Sequence, residues 1–406
     1  MDESSKLEKY RPITGIEEEA EIRQLADRVN GASILHVNST RSGGGVAEIL
    51  KSLIPLANSL GLRASWEVIT ASPRFFDITK SIHNALQGMN LPLTRDMKDT
   101  YMKVNQSYAD TLTIDQDVVM IHDPQPAPLI RYTKKGKAKW IWRCHIDLSQ
   151  PNSDYWLLVR QFVERYDALI FSIEDFVKRD LRNSRLYIMS PCIDPLSEKN
   201  KEVSEKQIIG IARRLGIDRE LPIITQVSRF DPWKDPLGVI DVYRIIRRSI
   251  PKLQLLMVGG SAQDDPEGEI WRKKVLEYAG KDIDRGVHLL TDLTDLEVNA
   301  LQRTSDVIVQ KSIREGFGLT VAEALWKGIP VVATNVGGIP LQVIDGVTGY
   351  LIGSTQDAAD RILSILRKPE LGDKLGQRGK EHIRKNFLIT RHLKQYLKMH
   401  LDLLQN

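Results

Sequence analysis

The strongest constraint on this chain is a rhythm of short apolar runs separated by amphipathic stretches. "SILHVN" (33–38), "ASWEVI" (64–69), "DVVMIH" (117–122), "KWIWRCH" (139–145) and "ALIFSI" (168–173) have the length and the branched or aromatic content of strands. Helix-like segments such as 46–60 and 154–166 lie between them. Strand alternating with helix predicts a mainly parallel sheet covered on both faces. "PCIDPLSEKN", with two prolines and a polar run, then interrupts the pattern and reads as a linker. The rhythm restarts with "PIITQV" (222–227), "LQLLMVG" (253–259), "VHLLT" (287–291), "DVIVQ" (306–310), "PVVAT" (330–334) and "GYLIG" (349–353). Helical patterns fill 355–385 and 389–405. The expectation is two doubly wound α/β domains, 1–195 and 200–386, with the closing helix 387–406 a candidate to cross back onto the first. A length of 406 residues fits two domains of ~100–200 residues each.

Composition narrows the function class. A formal charge of +4 with both signs interspersed argues against a nucleic-acid-coating surface. No run reaches ~18 apolar residues, and "MDESSKLEKY" lacks the apolar core of a secretion signal, so no membrane association is expected. Two distant cysteines, Cys144 and Cys192, fit a reducing cytosol and no metal-ligand spacing. The triplets Asp115–Asp117 and Asp282–Asp284 run into a strand and a charged turn, and neither is read as a metal site.

In doubly wound sheets, ligands bind at the carboxyl ends of strands. Five loops there carry chemistry. In "NSTRSGGGVAEIL", Gly43, Gly44 and Gly45 permit close backbone approach to an anion ahead of a helix starting near Val46. It is not a GxGxxG fingerprint, and an ordinary glycine turn is equally compatible. "VMIHDPQPAPLI" offers Asp123 and Gln125 for sugar hydroxyls. "IWRCHIDLSQPN" offers His145 and Asp147, or a helix cap made by Asp147, Ser149 or Asn152. "VSRFDPWKDP" sets Arg229 and Lys234 five residues apart, able to clamp a diphosphate, or simply solvated. "SIREGFGLTVAEALWKG" holds Glu315 and Glu323. Thr320 to Glu323 spells a capping box, with Glu323 bonding back to the Thr320 N–H. Alternatively, the same helix start offers the Gly318, Leu319 and Thr320 N–H groups to a phosphate.

Together, the glycine-rich first loop, "RCHID", "SRFDPWK" and "REGFGLTVAEALWKG…PVVATNVGG" resemble retaining glycosyltransferases of the GT-B fold, family 4. "FFDITKSIHNALQG", "HDPQPAPLI", "WRCHIDLSQPN" and "NALQRTSDVIVQKSIREGFGLTVAEALWKG" are similar to the trehalose glycosyltransferring synthase and trehalose phosphorylase group. The match covers nearly the whole chain and implies two Rossmann-like domains facing across a cleft. It implies that Gly44 and Gly45 approach the diphosphate, that Arg229 and Lys234 bind it, and that His145 lies against the transferring glucose. Glu315 would hold glucose hydroxyls, with Gly316, Phe317, Gly318 and Leu319 backbone, and Thr320, around sugar and phosphate. Glu323 would bind ribose. Acceptor glucose would meet Asp123, Gln125, Asp147, Asn84 and Gln87. After "GGIP" many members carry Glu, where this chain has Leu341 then Gln342.

The implied reaction is retaining glucosyl transfer from a nucleoside diphosphate glucose, UDP- or ADP-linked, to free glucose, giving α,α-trehalose. The nucleotide sugar is then a co-substrate, with no tightly bound cofactor and no metal required. Retaining hydrolases use two carboxyls ~5–5.5 Å apart, but no nucleophile is evident here, which favours front-face attack. The alternatives are a trehalose phosphorylase, a dinucleotide-dependent oxidoreductase and a noncatalytic sugar-binding protein. The oxidoreductase demands a GxGxxG that is missing. The oligomeric state is not legible, and a homodimer is compatible.

Overall fold

The computed structural model describes residues 5–181, 185–260 and 268–404. The chain forms two compact units. The first contains residues up to Pro191 together with those from Ile389 onward. The second spans Cys192 to Leu388, apart from 262–266, which fall outside the described residues.

The first unit holds a six-stranded parallel sheet: β1 (Ser33–Asn38), β2 (Arg63–Val68), β3 (Val118–His122), β4 (Lys139–Cys144), β5 (Ala168–Phe171) and β6 (Arg185–Ile188), in the order β2-β1-β3-β4-β5-β6. The central strands β3 and β5 are buried at every position, as expected for a sheet covered on both faces. Edge strand β2 alternates exposed with half-buried positions. β6 was not expected; it is a mostly exposed edge strand, and its apolar Leu186 and Ile188 lie open rather than in the core. The core is aromatic: Trp140, Trp142, Phe75, Tyr101, Phe162 and Phe171 are fully buried. Burying each such side chain contributes roughly 1.5–3 kcal/mol or more. The closing helix, Ile389–Leu404, lies in this unit. Its Lys394 Nζ reaches Glu18 and Glu21 of the helix Ile16–Arg28, at 3.2 and 3.0 Å.

The second unit repeats the architecture with β7 (Ile223–Val227), β8 (Gln254–Val258), β9 (Val287–Leu290), β10 (Val307–Gln310), β11 (Val331–Thr334) and β12 (Gly349–Ile352). Their order is β12-β11-β10-β7-β8-β9, all parallel. Ile224, Leu255, Met257, Val309 and Val332 meet Val239, Tyr243 and Ile362 of the covering helices. The pattern over 355–385 resolves into two helices, Thr355–Leu366 and Pro369–Asn386. Pro369 supplies the break, because it opens the second helix and cannot continue the first.

In each sheet the strand order reverses once. That switch point lies between β1 and β3 in the first unit, and between β7 and β10 in the second. Loops leaving these strands diverge and open a crevice.

Candidate functional site

At the second unit's switch point, the loops after β7 and β10 are laced together. Ile313 N donates to Trp233 O at 2.7 Å. Asp231, fully buried, accepts from Lys234 N at 3.2 Å, and Gln226 Nε2 donates to Lys234 O at 2.8 Å. Asp235 adopts a left-handed backbone, φ 44°, caps the helix Pro236–Arg247 through Gly238 N, and pairs with Lys311. This scaffold aims the Lys234 ammonium at Glu315. Nζ lies 2.6 Å from Oε2, and the side chains keep only 15% and 9% exposure. The same oxygen accepts from Ser312 Oγ at 3.0 Å and Gln310 Nε2 at 3.4 Å. Lys234 is therefore not a solvated loop charge. Arg229, a third exposed, pairs with Asp231 at 3.3 Å.

The helix after β10 starts differently from the capping-box expectation. It runs Leu319–Trp326 with Gly318 as N-cap, φ 85°, and no side-chain cap bond. A left-handed glycine lets the helix begin at Leu319, one residue before Thr320. Thr320 is thus already helical, and its Oγ1 donates to Gln310 Oε1 at 3.4 Å. Glu323 is buried, and its Oε2 has no hydrogen-bond partner among the described residues. Its carboxylate is not spent on closing the helix start; Val321 N donates to Gly318 O at 2.9 Å, and the Leu319 and Thr320 N–H groups ahead of it remain available to an anion.

The backbone of "EGFG" is held from behind. A methyl group on Gly337 (φ +54°) would lie 1.6 Å from Glu315 O, so the "NVGG" turn packs directly against the glutamate's main chain. Buried Gln342 donates to Phe317 O at 2.5 Å. Gln342 thus fixes the loop, while its neighbour Leu341, which stands where a glutamate was expected, is exposed. The Phe317 ring packs on Phe387 at 5.3 Å between centroids, which leaves only its backbone for the crevice, beside buried Gly316 and Gly318.

At the first unit's switch point, Gly44 is the N-cap of the helix Gly45–Asn58 with φ 98°, one residue earlier than expected. A methyl group there would meet open space. Asp123, non-glycine at φ 62°, accepts from His145 N at 2.7 Å, and its own carbonyl accepts from Trp142 Nε1 at 2.9 Å. His145 Nε2 lies 3.1 Å from His122 Nδ1. Burial pushes the His145 ring well below its usual pKa range, with the Arg143 charge adding to the effect. Asp147 accepts from Ser149 N at 2.8 Å, and Asn152 caps the helix Ser153–Val163. The buried Gln125 carbonyl accepts from Asn105 Nδ2 at 3.1 Å, while its side-chain Oε1 has no protein partner. Asn84 and Gln87 are buried at the end of the helix Pro73–Leu86, which Asn152 N ties to the 147–152 loop through Ala85 O at 2.9 Å. Sequence reasoning assigned no site role to His36 or His122. Both end up behind His145, and strand positions of buried polar residues were the available signal.

The aspartate triplets serve structure. Asp117 accepts from Ser33 N and Oγ at 2.8 and 2.7 Å, and Asp282 pairs with Arg244 at 2.7 Å.

Comparison with known proteins agrees with this fold. The model "Trehalose synthase, N-terminal domain" matches residues 36–178, and "Glycosyl transferases group 1" matches 209–382. The trehalose synthase of Thermococcus litoralis is 51% identical over 400 residues, spanning 97% of this chain and 96% of its own. The trehalose phosphorylase of Pleurotus pulmonarius is 28% identical across 93% of this chain but only 58% of its own. Among solved structures, an α,α-trehalose-phosphate synthase (UDP-forming) from Burkholderia xenovorans, in complex with glucose-6-phosphate, superposes with TM-score 0.75. It is 16% identical and covers 92% of this chain and 100% of its own. No helix among the described residues is long and apolar enough to cross a membrane. With two doubly wound units of GT-B type and a 51% identical relative along almost its whole length, the chain belongs to the trehalose synthase family of glycosyltransferases.

Proposed function

We propose that this glycosyltransferase moves glucose from a nucleoside diphosphate glucose to the anomeric hydroxyl of free glucose, forming α,α-trehalose with retention. The observation that carries the reading is the convergence at one switch point of the Lys234–Glu315 pair, Arg229 and a helix opened by a left-handed glycine. Such a set suits a ligand that is anionic at one end and hydroxyl-rich at the other. Arg229 and Lys234 stabilise the diphosphate as charge develops on it. The Leu319 and Thr320 N–H groups after Gly318 donate to a phosphate. Glu315, oriented by Lys234, Ser312 and Gln310, accepts from glucose hydroxyls, and Glu323 from the ribose. In the first unit, Gly44 and Gly45 approach the diphosphate and His145 the transferring glucose. Asp123, Gln125, Asp147, Asn84 and Gln87 receive the acceptor.

The donor C1–O bond breaks and the bonding pair leaves with the diphosphate. The acceptor hydroxyl oxygen bonds to C1 on the same face, and its proton passes to the departing phosphate oxygen. No enzyme nucleophile, tightly bound cofactor or metal takes part in this reading.

The test is incubation with UDP-, ADP- and GDP-glucose plus glucose, with trehalose and free nucleotide measured together. Equimolar trehalose and nucleoside diphosphate support the proposal. The phosphorylase relative favours a second reading. Trehalose consumed only with inorganic phosphate, and never with a nucleoside diphosphate, establishes that reading instead.

A further inference from the structure

Five of the chain's eight histidines meet inside the first unit, and the proposed mechanism uses only one of them. His36 Nδ1 lies 3.0 Å from His122 Nε2, and His122 Nδ1 lies 3.1 Å from His145 Nε2. Interplanar angles of 26° and 20° keep the three rings nearly parallel. His36 and His122 are 2% exposed, while His145 retains some exposure at the end of the chain. The closing helix brings His392, Tyr396 and His400 against them. Tyr396 contacts the His36, His392 and His400 rings, and His392 Nδ1 donates to Ser190 O at 3.1 Å. Arg143, 1% exposed, lies over Tyr396 and donates to Met189 O; its Nε and Nη1 have no partner among the described residues. Burial together with the Arg143 charge keeps His36 and His122 neutral: His36 is pushed down to about 3, and His122 well below its usual range.

A neutral imidazole has one N–H donor and one acceptor nitrogen. His122 uses both nitrogens, so its two bonds must run in the same direction along the chain. Only two proton orders exist. In one, His145 Nε2–H donates inward and its Nδ1 is a bare acceptor; in the other, Nε2 accepts and Nδ1–H donates. Since Nε2 is committed to His122, Nδ1 is the ring atom left for a ligand. Its hydrogen-bond role toward a sugar is therefore decided behind the site.

We propose that His36 and His122 are positioning residues that set whether His145 Nδ1 donates to or accepts from the transferring sugar. This rests on the reading that His145 contacts that sugar. The full-length protein, labelled with ¹⁵N-histidine, reports the state of each ring nitrogen by its shift. In the wild type, His145 and His122 show a single shared tautomer order. In H36F, that order is lost at His145, one ring removed from the substitution. H122F lowers kcat for glucosyl transfer on the order of tenfold, as expected for one neutral hydrogen bond, and leaves KM for the nucleotide sugar within about twofold. H122N, which keeps a polar group at the Nδ1 position, recovers most of the rate. Mixed tautomers in the wild type, or a His145 signal unchanged in H36F, overturn the proposal. If H36F fails to fold, H36Q carries the same measurement. Failure of the wild type to make trehalose defeats the functional reading alone, because the shifts still decide whether the chain of rings has one order.

Discussion

The two switch points share a topology and differ in chemistry. Between β7 and β10, charges are gathered and compensated: Lys234 on Glu315, Arg229 on Asp231, and Lys311 on Asp235. Between β1 and β3, the buried groups are imidazoles held neutral and linked ring to ring. A doubly wound sheet provides the crevice whatever its loops contain. The loops decide whether it suits a dianion or neutral hydroxyls. Fixed opposite charges resist reorganisation when negative charge arrives, whereas neutral imidazoles can both donate and accept.

Arg229→Ala tests the charged side of this comparison with the largest expected effect. Turnover should fall about 10²–10³-fold, the scale of losing one donor to a developing charge, while far-UV circular dichroism stays unchanged. Turnover within threefold of wild type removes Arg229 from the leaving-group role. A neutral substitution in the other switch point, H122F, should cost far less.

Two glycines sharpen the contrast in stability. Gly337 and Gly44 both have positive φ, but a methyl group on Gly337 strikes Glu315 O, whereas one on Gly44 meets nothing. Backbone strain costs roughly 1–3 kcal/mol at either site, and overpacking against a main-chain atom adds about 1–3 kcal/mol at Gly337. Chemical denaturation should show Gly337→Ala the more destabilised of the two. Equal losses would mean the "NVGG" turn yields easily.

Acid and base separate the units more gently. His36 is lowered to about 3 and His400 to about 4 by burial, with His122, His145 and His392 also depressed. Below pH 6.5 the unfolded chain binds protons that these rings refuse. The stability they contribute is present above that value and is lost as pH falls toward the folded values. In the second unit, burial lowers Lys327 to about 7. Its contribution is present above the unfolded value of 10.5 and is lost as pH falls toward 7. Glu297 in that unit is held to about 2, chiefly by Arg214, and yields only below the usual carboxylate range. On acidification from pH 7, where the Lys327 contribution is already gone, hydrogen exchange should show the first unit, with its five depressed imidazoles, loosening between pH 6 and pH 5 more than the second, in which burial lowers His288. Equal loosening of both units over that interval contradicts the assignment of a neutral switch point to one unit and a charged one to the other.

Much of this was readable in the residues. β1 falls on the expected 33–38, and ten of the remaining strands lie within the expected runs or one residue from them. Buried parallel strands must be apolar throughout, so they announce themselves. β6 was missed although "RLYI" carries Leu186, Tyr187 and Ile188; its apolar residues lie mostly exposed at a sheet edge. The loops carrying Gly44, His145, Arg229, Lys234 and Glu315 were found because strand ends are where chemistry collects. The capping box was a sequence-level pattern that failed. Thr320 and Glu323 have the right spacing, but the left-handed turn at Gly318 starts the helix upstream of them.

The sequence by itself determined the repeated strand–helix rhythm and the residue types at the strand ends, because hydrophobic periodicity and turn chemistry are local. Only the tertiary structure decided which of those residues meet. Lys234 and Glu315 are 81 positions apart, and His36 and His145 are joined through His122 across three parallel strands and their ends. Pairing at such distances follows from strand order, which no local pattern encodes. It is strand order that brought the paired charges together at one switch point and the neutral rings together at the other.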